Sequence, residues 1–187
     1  MTRAPLFVLR HGETEWNRAG RLQGWQDSPL TEQGRAQAAR QGDILRDVLN
    51  GNAHWVASPL GRALDTAKIA GAPEALAHDA RLREIDMGAW TGLSSAEIAK
   101  QRPDLAGFAR YNAIPNGETI ADLADRVAAF LAEQAGQTTP TVVITHGITS
   151  RILRCLATGQ PPEHFAQIGG GQGVVYRVEA GAQNLLS

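Results

Sequence analysis

Cysteine is almost absent from this sequence, because Cys155 is the single one among 187 residues. One cysteine excludes an intrachain disulfide framework and any metal cluster built from cysteines. Cys155 lies between Leu153 and Leu156 in an apolar run, so we expect it to be a buried, unreactive packing residue.

Long apolar runs are missing as well. No stretch approaches the roughly 18 consecutive apolar residues that a transmembrane helix requires. The first residues, MTRAPLFVLRHGE, also lack the apolar segment and the small-residue cleavage site of a signal peptide. We therefore expect a soluble, cytoplasmic protein that does not bind membranes.

An excess of charge of either sign is absent. The 18 Lys and Arg residues nearly balance the 19 Asp and Glu residues, which gives a net charge of −1. This balance excludes the chain-wide basic field that nucleic-acid binding needs, but it leaves room for a local cationic pocket. Nearly all of the positive charge is arginine, since Lys68 and Lys100 are the two lysines. The length fits one domain, which we predict to span residues 1–187.

Short apolar runs alternate with helical patterns along the chain. The runs read as buried strands and lie at residues 6–9, 55–57, 141–145 and 174–178. The predicted helices begin after the N-caps Thr31 and Thr119 or lie near residues 62–69, 95–102, 104–111 and 150–158. This alternation predicts an α/β fold, a three-layer sandwich in which helices flank a mostly parallel central sheet.

Two of the predicted strands end in the same dipeptide, His11-Gly12 and His146-Gly147. In a parallel sheet the carboxyl ends of the strands meet at one edge, outside which ligands bind. One histidine at a strand end is more often structural, but two at matching ends indicate a shared pocket. The glycine after each histidine permits a close approach of the backbone to a ligand.

Two arginines accompany these strand ends. Arg10 precedes His11, and Arg62 follows another strand end after Ser58-Pro59-Leu60-Gly61. Either arginine alone would equally fit a surface ion pair, but guanidinium groups also bind phosphate oxygens bidentately. A neutral imidazole can attack phosphorus and hold the phosphoryl group. The arginines and the second histidine would then balance the charge of the transition state.

Such a reaction also needs a carboxylic acid that protonates the leaving alkoxide. Glu84 is the best-placed candidate because its neighbours are apolar and aromatic, whereas Asp86 and Glu13 are weaker candidates. The scheme requires no metal ion and no cofactor. The other histidines are scattered without metal-ligand spacing, and we expect them at the surface: His54, His78 and His164. On these residues alone the protein is a phosphate-handling enzyme.

The sequence resembles the histidine phosphatase, or phosphoglycerate mutase-like, superfamily over essentially the whole chain. The most specific block is LRHGETEWN at residues 9–17. Supporting blocks follow in the order typical of the family: QGWQDSPLT (23–31), SPLGRA (58–63), LREI (82–85), PNGET (115–119) and THG (145–147).

The resemblance implies a role for each matching residue. His11 would be the phosphorylated nucleophile, and Glu84 would act first as general acid and then as the base that activates water. The phosphate pocket would consist of Arg10, Asn17, Gln23, Gly24, Arg62, His146 and Gly147. Glu118 would order this pocket from behind without touching the phosphate.

The family divides into hydrolases and cofactor-dependent mutases. Mutases of this kind hold a second anionic group with adjacent arginines, whereas here the corresponding segment offers only Arg102 and Arg110, which are not adjacent. They also tend to carry asparagine where this chain has Ile148. We therefore expect a metal-independent phosphatase, of the histidine acid type, that acts on a small phosphorylated metabolite through phosphohistidine. A phosphoglycerate mutase and a non-catalytic phosphate-binding module remain alternatives.

The entrance to the pocket is a further expectation. Five residues either line an apolar entrance, which would suit a substrate with an uncharged organic part, or pack in the core: Trp25, Trp90, Phe108, Tyr111 and Ile114.

Overall fold

A computed structural model describes residues 4–49, 51–105 and 107–187. Six strands of this part of the chain form one sheet: β1 (Leu6–Arg10), β2 (His54–Ala57), β3 (Ala77–His78), β4 (Thr141–Thr145), β5 (Val175–Glu179) and β6 (Ala182–Leu186). The prediction that the first residues do not form a signal peptide rests in part on residues 1–3, which lie outside the described residues. Ala106, within the helix predicted at 104–111, also lies outside them.

The strands follow the order β3-β2-β4-β1-β5-β6. β1 and β4 lie in the centre and pair in parallel, from Leu6 opposite Thr141 to Arg10 opposite Thr145. β2 and β3 continue the parallel part, while β5 and β6 are antiparallel. The predicted α/β fold with a mostly parallel sheet is therefore confirmed.

Helices cover both faces of the sheet. The α-helices are α1 (Glu15–Arg18), α2 (Glu32–Val48), α3 (Gly61–Ile69), α4 (Ser95–Gln101), α5 (Ile120–Glu133) and α6 (Gly147–Ala157). Short 3-10 helices lie at Ala80–Leu82, Gly88–Trp90, Gly107–Asn112, Gln134–Gly136 and Pro162–Ala166. α2 and α3 pack together on one side, and α5 and α6 pack together on the other.

The side chains of β1 alternate between two apolar cores, because helices cover both faces of the sheet. Leu6 and Val8 belong to one apolar core, whereas Phe7 and Leu9 belong to the other. Because successive side chains of a strand point to opposite faces, a strand covered on both sides needs a continuous apolar run. The same reasoning accounts for the apolar run of β4.

The predicted helix caps and the buried cysteine are confirmed. The side chain of Thr31 accepts a hydrogen bond from the Gly34 amide at 2.9 Å and caps α2. Thr119 and Asp122 form a capping box at the start of α5. Cys155 is fully buried in α6.

The structure also differs from the sequence-based elements. The helix predicted to start at residue 150 starts at Gly147, so β4 connects to α6 through His146 alone. Residues 107–112 form a 3-10 helix within the region predicted as helical. β6 was not predicted. It follows a two-residue turn in which Ala180 and Gly181 both have positive φ, the geometry of a tight hairpin.

None of the helices that the structure describes has both the length and the apolar character needed to cross a membrane.

Candidate active site

The two histidines predicted as a pair lie side by side at the carboxyl edge of the sheet. The amide of His11 donates to the carbonyl of Thr145 at 3.0 Å, and the ring centroids of His11 and His146 are 5.2 Å apart. The loop after β1 rests directly on α2, where a Cβ on Gly12 would lie 2.2 Å from the Gly34 carbonyl oxygen. Any side chain at position 12 would therefore push the His11 loop away from α2.

A cavity of about 160 Å³ opens beside this edge. Its wall is formed by Arg10, His11, Asn17, Arg21, Leu22, Gln23, Gly24, Arg62, Glu84, Met87, Tyr111, Gly147, Ile148 and Arg151. Eight of the nine residues predicted as catalytic or phosphate-binding are in this wall. The ninth, His146, is fully buried behind it, beside His11.

The contacts of His11 fix its tautomer. Its Nδ1 lies 2.7 Å from the carbonyl oxygen of Gly12, and since a carbonyl only accepts, Nδ1 carries the hydrogen. Nε2 is then unprotonated, and it accepts a long hydrogen bond of 3.3 Å from Arg62 Nε. Burial, with the nearby charges of Arg10 and Arg62, holds the pKa of His11 well below its usual value. The ring is therefore neutral near pH 7, and attack on phosphorus requires the Nε2 lone pair to leave its long hydrogen bond with Arg62.

His146 is held from the opposite direction. Its Nε2 lies 2.7 Å from the Ser58 hydroxyl oxygen, which also accepts from the Leu60 amide. The Ser58 hydroxyl can thus donate its hydrogen to Nε2, and this leaves the hydrogen of the neutral ring on Nδ1. Nδ1 is buried and has no hydrogen-bond partner among the described residues. Burial and the Arg62 charge lower the pKa of His146 well below its usual value.

These two lowered pKa values predict a specific acid sensitivity of the fold. The unfolded chain binds protons on both histidines below pH 6.5, the ordinary value, whereas the folded protein does not. The free energy of unfolding should therefore fall as pH drops below 6.5, by up to about 1.4 kcal/mol per pH unit for each histidine. Urea unfolding at pH 7, 6 and 5 measures this slope.

The His146→Gln variant should show a shallower slope than the wild type over the same pH range. His164→Gln, which changes an exposed histidine, is the matched control and should keep the wild-type slope. Equal slopes in His146→Gln and the wild type would contradict the prediction.

Arg62 lines the cavity, but most of its guanidinium hydrogen bonds go to the loop at residues 24–27. Its guanidinium donates to the carbonyl of Gly24 at 2.7 Å, to the carbonyl of Gln26 at 2.7 Å and to the carboxylate of Asp27 at 2.8 Å. The side chain is fully buried, and burial lowers its pKa although the Asp27 carboxylate opposes this shift. Nε donates to His11, and only one Nη2 hydrogen has no partner among the described residues, so Arg62 offers few free donors to a substrate.

Arg10 differs from Arg62 in that its guanidinium is not held by other parts of the protein. Its guanidinium makes no hydrogen bond to a described residue, and its Nε is buried without a partner. Burial lowers the pKa of Arg10, and the nearby Glu84 carboxylate counteracts that effect. A buried, charged donor without a partner is costly unless an anion supplies the missing acceptors. The Arg10 guanidinium is therefore free to donate hydrogen bonds to an anion in the cavity.

Glu84 is oriented by the start of α6. Its Oε1 accepts from the amides of Ile85 and Thr149 at 3.1 Å and from the Thr149 hydroxyl at 3.0 Å. Its Oε2 accepts from the Ile148 amide alone, at 3.1 Å. A Cβ on Gly147 would lie 3.5 Å from Oε2, so the absence of a side chain there leaves this oxygen accessible from the cavity. Oε2 is thus the oxygen that can exchange a proton.

The chain as a whole has counterparts among known proteins. The family model described as histidine phosphatase superfamily (branch 1) matches residues 6–185. The chain belongs to the histidine phosphatase superfamily. The predicted family is therefore confirmed over nearly the whole chain.

Individual histidine phosphatases resemble this chain closely. A probable phosphoglycerate mutase, GpmB of Salmonella paratyphi C, is 35% identical over 164 residues, which cover 83% of this chain and 75% of the relative. The structure of open reading frame Rv3214 from Mycobacterium tuberculosis has a TM-score of 0.85 at 28% identity and covers 98% of this chain and 96% of its own. The mycobacterial glucosyl-3-phosphoglycerate phosphatase Rv2419c has a TM-score of 0.82 at 29% identity, with coverage of 97% and 96%.

Arg126 is a residue of this member of the superfamily that the sequence analysis missed. It donates to the carbonyls of Arg81, Arg83 and Glu84 at 2.6, 2.8 and 3.0 Å, and so it fixes the backbone that carries the acid. Its guanidinium also pairs with both oxygens of Glu118 at 2.8 Å. Glu118 precedes α5 while Arg126 lies within it, so no i, i+4 spacing in the sequence signals this pair. Glu118 is not in the cavity wall, and its role in ordering the pocket stays a prediction.

Gln172 was also missed, although its glycine-rich surroundings at 169–173 were noticeable. Its Nε2 donates to the carbonyl of His11 and to Oδ1 of Asn17, both at 3.2 Å. Asn17 Oδ1 accepts in addition from the Thr14 amide at 3.3 Å. Because two donors occupy this oxygen, the amide nitrogen of Asn17 is the group left for an anion in the cavity.

Gln23 and Gly24 make other contacts than those of a direct phosphate ligand. Gln23 Nε2 donates to the Thr14 hydroxyl at 2.8 Å, while its Oε1 is buried without a partner among the described residues. The carbonyl of Gly24 accepts from Arg62. Both residues are in the cavity wall, where their observed contacts hold the loop in place.

Of the two readings left open for the five aromatic and apolar residues, core packing holds for Trp90, Tyr111 and Ile114, which are buried. Tyr111 lines the cavity, but the other four aromatic or apolar residues proposed for it are not in its wall: Trp25, Trp90, Phe108 and Ile114. Trp25 instead donates its indole Nε1 to the Glu84 carbonyl at 2.8 Å and packs beneath the Arg83 guanidinium. The indole nitrogen thus holds the backbone of Glu84 in place. The cavity wall instead includes two further arginines, Arg21 and Arg151.

The two alternative acids lie elsewhere. Glu13 accepts a hydrogen bond from the Thr31 hydroxyl at 2.8 Å, and Asp86 accepts from the Gly88 amide at 2.9 Å. Neither carboxylate is in the cavity wall. In the part of the chain that the structure describes, no three His, Cys, Asp or Glu side chains are grouped as possible metal ligands.

Proposed function

We propose that this histidine phosphatase family member hydrolyses phosphomonoesters of small metabolites, without a metal ion, through a phosphohistidine on His11. One observation carries the proposal. His11 presents a neutral Nε2 in the cavity, while its Nδ1 hydrogen is held by the Gly12 carbonyl. An imidazole held in this tautomer is a nucleophile whose lone pair is already oriented.

In the first step, His11 Nε2 attacks phosphorus as the bond between phosphorus and the ester oxygen breaks. Arg10 and the free Nη2 hydrogen of Arg62 stabilise the charge on the phosphoryl oxygens, with His146 donating from behind. Glu84 gives the proton of its Oε2 to the leaving alkoxide, which departs as an alcohol.

In the second step, the same carboxylate acts as a base. Glu84 Oε2 takes a proton from water, and the resulting hydroxide attacks the phosphorus bound to His11. The bond between phosphorus and Nε2 breaks, inorganic phosphate leaves, and His11 returns to its neutral form. Each turnover thus regenerates both the nucleophile and the protonated acid.

A second candidate is cofactor-dependent phosphoglycerate mutase activity, a class of isomerase. The name of the Salmonella relatives, probable phosphoglycerate mutase, favours it. The mycobacterial neighbour named as a phosphatase favours hydrolysis, as do the residues that replace the arginine pair and the asparagine of mutases. A non-catalytic phosphate-binding module fits less well, because the nucleophile and the acid are both present at the cavity. A cytoplasmic location and a single domain over residues 1–187 remain predictions.

Steady-state hydrolysis of p-nitrophenyl phosphate with excess EDTA tests the proposal. We expect turnover in the ordinary enzymatic range of about 1–1,000 per second, and acid-labile phosphate on His11 after rapid quenching. Isomerisation of 3-phosphoglycerate that requires 2,3-bisphosphoglycerate, without hydrolysis, would instead identify a mutase. Absence of both reactions and of phosphohistidine would leave the binding module.

A further inference from the structure

The cavity contains more positive charge than one phosphoryl group uses. Four guanidinium groups and one carboxylate, that of Glu84, are in its wall. The proposed mechanism employs Arg10 and Arg62, and Arg62 is already paired with Asp27. Arg21 and Arg151 therefore remain without a role in phosphoryl transfer.

Arg151 lacks a partner inside the protein. It projects from α6 and is half-buried, and among the described residues its guanidinium makes no hydrogen bond and no ion pair. Its Nε is fully buried, and its guanidinium lies 5.9 Å from the centre of the Phe108 ring. Gly170 gives it room, because a Cβ there would lie 2.6 Å from Arg151 Nη2. Partly desolvated donors with no acceptor indicate a place where an external anion binds.

Arg21 occupies the same rim from the loop after α1. Its Nη1 donates to the Gly92 carbonyl at 2.7 Å, which anchors the guanidinium and leaves its other donors without partners among the described residues. The Arg21 charge helps to lower the pKa of Glu97, but that carboxylate caps α4 through Ser94 and forms no ion pair with Arg21. Arg21 is therefore held in position without being neutralised.

We propose that Arg21 and Arg151 form a second anion subsite, which binds a carboxylate or a second phosphate at the far end of the substrate. The proposal rests on the proposed function and names its substrate class. Apolar side chains, Leu22 and Met87 among them, complete the wall. A cavity of about 160 Å³ is smaller than the pockets that hold drug-sized ligands. The preferred substrates are thus short phosphomonoesters that carry a second anionic group.

Substrate pairs that differ only at the far end provide the test. 3-Phosphoglycerate carries a carboxylate where glycerol 3-phosphate carries a hydroxymethyl group, and glycerol 1,3-bisphosphate carries a second phosphate. We expect the wild type to show kcat/KM at least about tenfold higher for one or both substrates that carry a second anionic group than for glycerol 3-phosphate. The substrate with the larger preference identifies whether a carboxylate or a phosphate occupies the subsite.

Arg151→Gln and Arg21→Gln should each reduce this preference about fivefold, mainly through KM, and the double variant should abolish it. Arg40→Gln removes an exposed charge on α2 away from the cavity and should keep the wild-type preference. A wild type without preference, or a double variant with the full preference, would overturn the subsite.

Binding to the His11→Ala variant separates the subsite from the reaction. Calorimetry should show that substrates with a second anionic group bind more tightly than glycerol 3-phosphate. Arg151→Gln in this background should remove the difference. Hydrolysis of all three substrates without discrimination, together with equal binding, overturns the subsite alone. A wild type that neither turns over nor forms phosphohistidine overturns the proposed function, while the binding difference still decides the subsite.

Discussion

His11→Ala is expected to lower the hydrolysis of p-nitrophenyl phosphate by a factor on the order of 10⁴ or more. The alanine removes the atom that forms the bond to phosphorus, and no other described side chain can take its place at the cavity. His146 lies behind the wall with its Nε2 hydrogen-bonded to Ser58. Arg10 and Arg62 would still bind phosphate, so the loss should be in kcat. Steady-state kinetics and a phosphohistidine assay on the same protein measure both parts.

A matched control separates this effect from general damage. His164→Ala replaces an exposed histidine outside the cavity and should keep the wild-type rate and the phosphohistidine signal. Because the ring of His11 is buried, the His11→Ala variant must also be shown to unfold cooperatively. A folded His11→Ala variant that retains a tenth of the wild-type rate would remove His11 from the role of nucleophile.

Glu84→Gln is expected to lower kcat/KM, which reports the phosphorylation of His11, by about 10²–10⁴-fold for alkyl phosphates and far less for p-nitrophenyl phosphate. Nitrophenolate leaves readily without a proton, whereas an alkoxide does not. Every hydrogen bond that the Glu84 carboxylate makes is accepted from a donor, so the glutamine amide nitrogen must displace at least one of them. Rates for a series of leaving groups measure the effect.

Glu13→Gln is the control for the acid assignment, since Glu13 was an alternative acid and its carboxylate lies outside the cavity wall. Its dependence on the leaving group should match that of the wild type. If Glu84→Gln lowered kcat/KM for aryl and alkyl phosphates by the same factor, Glu84 would position the substrate without donating the proton.

The sequence was informative where local patterns decide the structure. The apolar runs of β1 and β4, each followed by His-Gly, were sufficient to predict two central parallel strands and a shared histidine site at their ends. The capping residues Thr31 and Thr119 located the starts of α2 and α5 because a side-chain cap is a local interaction. Such features need no knowledge of the rest of the fold.

What the sequence did not reveal depends on contacts between distant segments. Arg126 reaches three carbonyls more than forty positions away, and Gln172 reaches the carbonyl of His11 across the fold. The sequence left Trp25 between an apolar entrance and the core, and neither reading includes the hydrogen bond from its indole nitrogen to the Glu84 carbonyl. β6 escaped because an edge strand with polar residues has no alternating or continuous apolar pattern.

His11 and His146 should differ from Glu84 in local stability, because the histidines follow the central strands β1 and β4 and Glu84 lies outside the sheet. Hydrogen exchange at the amides of these two strands should require opening of the whole molecule, since each strand has neighbours on both sides. The segment that carries Glu84 lies outside the sheet and is tied down through side chains, so it can open in smaller, more frequent excursions. On warming, the enzyme should therefore lose its proton donor before it loses its two histidines. Just below the melting temperature, such a protein would still accept phosphate on His11 from substrates with good leaving groups.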